Sequence, residues 1–417
     1  MFLVGIAAVA AAGSAQAQTL RPVAPPVYDR GNNQGVRERP QPEYEPLGIP
    51  VGAFRFYPRI GAAVEWNDNI YATEAFEVED MATILSAAGR LTSNWSQHAL
   101  AFEAEVENTA YGDNDAEDGL TWGVGVEGRV DVRRDTQLYG SLSYFSTFEP
   151  RGFVDTLDLA EPIEYDELRG QARLTHLFNR LRATGIVDYS SVDYDDGMDV
   201  FDVPVDQDFR DRDALELTGR LDYALSPDTA VFVAASQRWS DYDLETFGDR
   251  DFERTRVLGG AAFDITNLVR GEVGVGYSWA RFNNPADDDF DGLSLRAAVD
   301  WFITRLTTVN FAASRDVEDS GDPDATSIQR TSVGVRVDHE LYRNIVAWGR
   351  LGWSEDEYEG IDRTNTRNSY SLGADWRVNR YAAVNARYIH TEQETEGTDP
   401  FRDFTQNRFL VGVTLRR

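Results

Sequence analysis

The sequence predicts an all-β protein, a transmembrane antiparallel up-and-down β-barrel of about 18 strands. Two observations support this fold class. Apolar and polar side chains alternate with a period of two over segments of about 11 to 14 residues, longer than ordinary soluble strands. Short and long connections between these segments also alternate along the chain, as hairpins of a membrane barrel do.

Two segments precede the predicted barrel. Residues 1–17 are predicted to be a secretory signal peptide, with a short apolar core and an A-x-A cleavage site at Ala15–Ala17, although no Lys or Arg precedes the core. A membrane helix would need about 20 apolar residues. Residues 18–50 contain seven of the 15 prolines and no hydrophobic period, which predicts an extended Pro-rich periplasmic linker. The barrel is predicted over residues 51–417.

The stretch LTWGVGVEGRVDV (residues 120–132) contains Gly123, Gly125 and Gly128 in the G-x-G-x-x-G spacing of dinucleotide-binding loops. Such a loop follows a strand and opens a helix, but here the alternation from Leu120 to Val132 runs straight through the glycines. We therefore predict a strand and no nucleotide site. The same pattern recurs in GEVGVGYSW, DALELTGRLDYAL, GLSLRAAVDWF and TSVGVRVDHEL.

The predicted strands are long enough to cross a hydrocarbon layer of about 25 Å when tilted, so the apolar faces should contact lipid and the charged faces a water-filled lumen. Eight short connections and nine longer acidic loops join the 18 strands. The short ones are at about 93–97, 133, 178, 226, 266, 304, 342 and 378, and the loops at 67–80, 113–118, 149–164, 193–211, 241–253, 283–291, 316–328, 356–368 and 391–403. Short turns are expected in the periplasm, which places both chain ends there.

Composition narrows the functional classes. The chain has 71 acidic and 40 basic residues, a net charge of −31, which argues against nucleic-acid binding because that requires clustered Lys and Arg. A hydrophobic content of 42% argues against disorder. The absence of cysteine fits an exported protein.

Strand parity directs charged residues of both signs into the lumen. The arginines are Arg129, Arg169, Arg173, Arg220, Arg238, Arg256, Arg270, Arg296, Arg336, Arg377 and Arg387, and the acids are Glu103, Glu105, Glu127, Asp188, Glu216, Asp222, Asp264, Glu272, Asp300, Asp338 and Asp375. They could form a polar constriction that selects solutes. Alternatively, they could neutralise one another and brace the barrel. An 18-stranded lumen is too wide for side chains alone to fill.

Metal and catalytic sites have weaker support. Asp287, Asp289 and Asp291 have the spacing of the first half of a calcium loop, but the position of the bidentate Glu is Ala298. A solvated acidic loop is the simpler interpretation. His176, His339 and His390 have outward parity, and Ser278 lies in a G-x-S-x-A sequence within a strand, without the helix that follows a nucleophile elbow. We expect neither an enzyme nor a cofactor.

The first strand and the loop after it, PRIGAAVEWNDNIYAT (residues 58–73), resemble the opening of the β-barrel porin family found in exopolysaccharide and capsule loci of Gram-negative bacteria. Asn67, Asp68, Asn69, Ile70 and Tyr71 match its motif. The resemblance implies an outer-membrane pore or an accessory of polysaccharide export, with outer-membrane lipid, polysaccharide and the barrel assembly machinery as partners. The alternative is a non-conducting surface barrel whose acidic loops bind polysaccharide or cations.

Overall fold

The computed structural model describes residues 34–152, 159–199, 201, 203–243, 249–266, 268–285, 289–318, 320, 322, 324–399 and 401–417. The predicted signal peptide and the first part of the predicted linker lie outside these residues. Eighteen long strands form the barrel: β1 Phe54–Asn67, β2 Asp80–Ser93, β3 Ala99–Tyr111, β4 Gly119–Arg133, β5 Thr136–Phe148, β6 Glu164–Phe178, β7 Leu181–Tyr194, β8 Arg212–Ser226, β9 Thr229–Tyr242, β10 Phe252–Ile265, β11 Val269–Phe282, β12 Phe290–Thr304, β13 Thr307–Glu318, β14 Ser327–Tyr342, β15 Ile345–Glu359, β16 Arg363–Arg377, β17 Ala382–Gly397 and β18 Phe404–Arg416.

The sheet closes on itself. Each strand pairs antiparallel with the next in sequence, and β18 pairs with β1 in a register that places Glu65 opposite Leu410. The short strand Ile49–Val51 pairs with the start of β1, and a small hairpin joins Gly197–Met198 to Pro204–Val205. The structure is thus the predicted up-and-down barrel of 18 strands.

The two ends of the barrel differ in their connections. Turns of two to five residues lie at one end, which we call the short-turn end, and the opposite end carries the long loops. Two of the predicted loops are largely strand: β15 and β16 extend until only residues 360–362 separate them, and β17 continues to Gly397. The acidic residues there are compatible with strand because arginines pair with them, as Arg330 pairs with Asp356 at 2.6 Å.

The outer face of the wall is apolar. Val275, Leu293 and Leu372 are each about 60% exposed, and their neighbours along the strand point inward. Aromatic residues occur toward both ends of this face, with Trp122 and Tyr144 in contact on the long-loop side and Trp301 exposed on the short-turn side. An apolar surface of this size on the outside of a closed barrel is typical of contact with lipid.

The glycine-rich stretch lies within β4, as predicted. Gly123 is paired with Phe145 on β5, and a Cβ at Gly123 would lie only 2.5 Å from Cδ1 of that ring. Glycine here makes room for an aromatic side chain that points into the barrel.

Helical structure in the described residues is limited to two single turns, Asp115–Glu117 and Asp208–Arg210. None of the helices in this part of the chain has the length and apolar character needed to cross a membrane.

Candidate functional site

The interior of the barrel is charged, and ion pairs there connect strands that are not neighbours. Arg59 on β1 contacts Glu103 on β3 at 3.0 Å, and Arg220 on β8 contacts Glu272 on β11 at 3.1 Å. Arg256 on β10 pairs with Asp316 on β13. Contacts across one or two intervening strands are favoured by the concave inner face, where side chains converge.

The arginines proposed from strand parity all lie on strands of the barrel, and each has a polar partner. Their partners are Asp131 for Arg129, Glu167 for Arg169, Gln171 and the Tyr139 ring for Arg173, Asp222 and Glu272 for Arg220, Ser240 for Arg238, Glu216 and Asp316 for Arg256, Asp300 for Arg270, Glu272 for Arg296, Asp338 and the Trp348 ring for Arg336, Gln41 for Arg377 and Glu65 for Arg387.

The acids of the same set are therefore largely paired with arginine. Asp222 is fully buried and accepts from Arg220 at 2.7 Å, while Glu216 pairs with Arg254 and Arg256 at 3.0 and 3.2 Å. Because opposite charges are paired to this extent, the electrostatic potential inside the barrel is reduced and the strands are held together. Arg169 differs because its side chain is 62% exposed, so its charge is accessible to a solute.

The short-turn end of the lumen holds a segment of the chain itself. Residues 35–46, which we call the inner segment, form two consecutive turns and lie against the inner face of strands β11 to β18. The contacts are Val36 N to Thr308 Oγ1 at 3.0 Å, Arg37 to Asp338 and Asp375 at 2.6 and 2.7 Å, Glu38 to Arg270 at 2.9 Å, Arg39 to Glu340 at 3.1 Å, Gln41 to Arg377 at 2.9 Å and the Tyr44 carbonyl to Arg416 at 3.0 Å.

This arrangement differs from the extended linker that the prolines predicted, for the part of residues 18–50 that the structure describes. The reason is the charge sequence Arg37-Glu38-Arg39, which complements charges on the wall. Burial disfavours the charged Arg37 guanidinium, but the carboxylates of Asp338 and Asp375 outweigh this effect and raise its pKa.

At the other end, the long loops contact one another across the mouth. Arg151 pairs with Glu117 at 2.6 Å, and Arg210 pairs with Glu149, with both side chains of each pair buried. We call this set of contacts the loop cover. It reaches the far wall because Arg367 on β16 donates to the Gly152 carbonyl, in the loop between β5 and β6.

A second group of contacts in the loop cover is formed by Arg250. Its guanidinium donates to the carbonyl of Phe209 at 3.2 Å and to that of Ser320 at 2.6 Å, which joins three loops. Arg363 continues the connection from Asp322 to Asp399. The lumen is therefore narrowed at both ends by parts of the same chain.

Between the two ends, a cavity of about 310 Å³ lies against β1 to β5, β17 and β18. Its polar lining includes Arg59, Glu105, Asn385 and Arg387. The cavity therefore offers positively charged donors, a negatively charged acceptor and a neutral amide, which suit water and polar solutes.

The motif Asn67, Asp68, Asn69, Ile70 lies at the seam where β1 meets β18. Asp68 accepts from the backbone and side-chain amides of Asn407, each at 2.6 Å. Asn69 is fully buried, and its side-chain amide donates to the carbonyls of Thr73 and Thr405 at 2.7 and 2.9 Å. The motif thus connects the first strand to the last and does not face the cavity.

The calcium-loop candidate is not assembled in the described residues. Asp287 lies outside them, and Asp291 lies on β12, where it accepts a hydrogen bond from Tyr277 on the neighbouring strand. A different acidic group, Asp196, Asp206 and Asp208, brings its oxygens within 4.8 Å of one another in an exposed loop.

The histidines lie on separate strands and are hydrogen-bonded to neighbouring ones. His176 contacts Thr136 Oγ1 at 2.7 Å, His339 contacts Thr307 Oγ1 at 2.9 Å and His390 contacts Asn407 Oδ1 at 2.8 Å. Ser278 is buried and contacts Asp316 at 3.2 Å. The serine and these histidines therefore do not form a hydrolase-like arrangement.

Sequence reasoning missed several interior groups. Arg254 and Arg408 have inward parity on their strands and could have been found by extending the same rule. The inner segment and Arg151, Arg210 and Arg250 of the loop cover could not, because no periodicity governs them.

The chain is similar in overall shape to the siderophore receptor PirA from Pseudomonas aeruginosa, with a TM-score of 0.47, 8% identity, and coverage of 89% of this chain and 81% of that one. It is also similar to the outer membrane protein OpdK from P. aeruginosa, with a TM-score of 0.45, 12% identity, and coverage of 87% of this chain and 99% of that one. For P. aeruginosa OccK2 (OpdF) in complex with glucuronate the TM-score is 0.48, the identity 10%, and the coverage 89% of this chain and 100% of that one. No curated protein matches the chain by sequence. A family model described as "Putative beta-barrel porin 2" matches residues 41–417, and the chain accordingly belongs to that family of outer-membrane barrels.

Proposed function

We propose that this barrel is an outer-membrane channel that serves the export of an extracellular polysaccharide or passes other polar solutes. The observation that supports conduction is the charged interior, in which arginines and carboxylates of many strands line the wall. A solute passes through such an interior when each of its contacts with the wall is weak enough for the solute to leave again. The link to polysaccharide rests on the resemblance of Asn67 to Tyr71 to a family from exopolysaccharide loci.

The current through single barrels in a planar bilayer tests conduction. Arg169→Glu replaces the accessible lumenal arginine by an acid, so the preference for cations over anions should rise, measured as a shift in reversal potential under a salt gradient. Arg281→Glu is the matched control, because Arg281 is exposed on β11 with the parity of the outer face. It should leave the reversal potential unchanged. Equal shifts in both variants would contradict a lumenal path.

The alternative is a non-conducting surface barrel that binds polysaccharide or cations through its acidic loops. The loop cover and the group of Asp196, Asp206 and Asp208 favour this candidate. The surface barrel would be supported over the channel if a correctly folded barrel carried no current even after the contacts of its inner segment and loop cover had been removed by substitution.

A further inference from the structure

The inner segment is held mainly by charge. Of its side chains, Val36 is the one buried apolar group in the described part, while Arg37 is 39% exposed and Glu38 51% exposed. Their wall partners Asp338 and Arg270 are only 4% and 5% exposed, so each pair joins a partly exposed side chain to a buried one. Dissolved ions reach the exposed member, so salt weakens these pairs, though less than it weakens pairs in which both members are exposed. The segment therefore has a specific position but few contacts that resist competition from dissolved ions.

Its wall partners are spread over a wide arc. Arg270 lies on β11, Asp338 on β14 and Asp375 on β16, all near the short-turn end. A segment that bridges these strands obstructs the lumen on that side. Its release would leave a ring of paired and unpaired charges around a wider opening.

We propose that residues 35–46 form a displaceable barrier in the short-turn mouth, which ion pairs of Arg37, Glu38 and Arg39 keep in place and which competing charge releases. Docking stands on the contacts alone. The consequence that release widens a conducting path rests on the proposed channel function.

Thiol labelling tests docking without any current. The chain has no cysteine, so Val36→Cys introduces a single thiol at a buried position, which a membrane-impermeant methanethiosulfonate reagent should modify slowly in the full-length barrel. Adding Arg37→Gln and Arg39→Gln should speed labelling about tenfold, because these changes remove three ion pairs.

A matched control removes the same number of positive charges elsewhere at this end. Arg305→Gln with Arg343→Gln, both exposed in short turns, should leave the rate for Val36→Cys unchanged. The salt dependence of Val36→Cys alone is a second measurement that needs no further substitution. Labelling should accelerate between about 0.05 M and about 1 M salt, where the Debye length falls to about 3 Å. Rates that are independent of salt and of Arg37 and Arg39 would overturn the proposal.

A disulfide lock tests the barrier itself. A Cβ at Gly35 would lie 3.5 Å from Oγ1 of Thr308, close enough for Gly35→Cys and Thr308→Cys to form a disulfide. The oxidised barrel should carry less current than the reduced one, and each single-cysteine variant should be insensitive to reduction. If a conducting barrel carried the same current in its oxidised and reduced forms, the proposal that the inner segment is a barrier would be wrong. If no variant conducted but the labelling result held, the channel function would fail and ion-pair docking would stand.

Discussion

At the scale of residues, a buried group of hydrogen bonds and ion pairs lies at the seam between the first and last strands. Glu65 on β1 and Arg408 on β18 form a buried ion pair with Nε to Oε1 at 2.8 Å. Just beyond the end of β1, on the long-loop side, Asp68 and Asn69 hydrogen-bond to the backbone of β18. The conspicuous family motif is therefore explained by closure of the barrel, since it satisfies polar backbone groups where two distant parts of the chain meet.

Replacement of Asn69 by Ala should weaken this seam. Three side-chain hydrogen bonds are lost, two to carbonyls and one from the Thr73 amide, and the buried partners remain unsatisfied. We expect a loss of about 3 kcal/mol in unfolding free energy. Denaturant titration in detergent measures this, and hydrogen exchange at residues 405–408 should locate it. Asn108→Ala, at an exposed position of β3, is the control. Equal losses in both variants would contradict the role of the seam.

At the scale of elements, strands were predictable and irregular segments were not. Alternation places Val273 and Glu272 on opposite faces from sequence alone, because the pleat imposes a period of two on every strand. The contact from Arg367 to Gly152 and the docking of Arg37 depend on which distant elements meet. No local pattern encodes such meetings, so the loop cover and the inner segment appear only in the structure. The extension of β15 and β16 was missed for the same reason.

The loop before β8 should respond to pH through Asp211. Burial raises the pKa of Asp211 to about 6, with Asp193, Asp208 and Asp243 adding to the rise and the hydrogen bond from the Tyr194 amide opposing it. The folded-state pKa lies above the ordinary value, so the folded loop takes up a proton more readily than an unfolded one. The stability of this loop should therefore fall as pH rises from about 4 to about 6.

Hydrogen exchange, corrected for intrinsic rates, checks this linkage at the amides of Tyr194 and Asp243, which bond to Asp211. Both should be more protected at pH 5 than at pH 7. Asp211→Asn should abolish the difference, whereas Asp135→Asn in an exposed short turn should preserve it. Persistence of the pH dependence in Asp211→Asn would exclude this carboxyl as its source.

At the scale of the whole molecule, the barrel reverses the usual distribution of polarity. Charged groups such as Asp222 and Arg270 are inside, and large apolar side chains such as Leu293 are exposed. Many of the acids that give the chain its net charge of −31 lie in the loops, whereas the middle of the outer face is apolar. Water would solvate this surface poorly, but lipid replaces water along the middle of each strand.

A charge placed on the outer face should therefore cost most at mid-height. Val275 lies near the centre of β11 and is 58% exposed, so Val275→Arg should reduce the free energy of folding into lipid vesicles by about 2–4 kcal/mol. Leu341→Arg, next to the end of β14, should cost about 0–1 kcal/mol because the side chain reaches the interface. Urea titration of barrels folded in vesicles measures both. Equal costs at the two depths, or a wild-type barrel that stays monomeric and soluble without detergent, would contradict the assignment of this face to lipid.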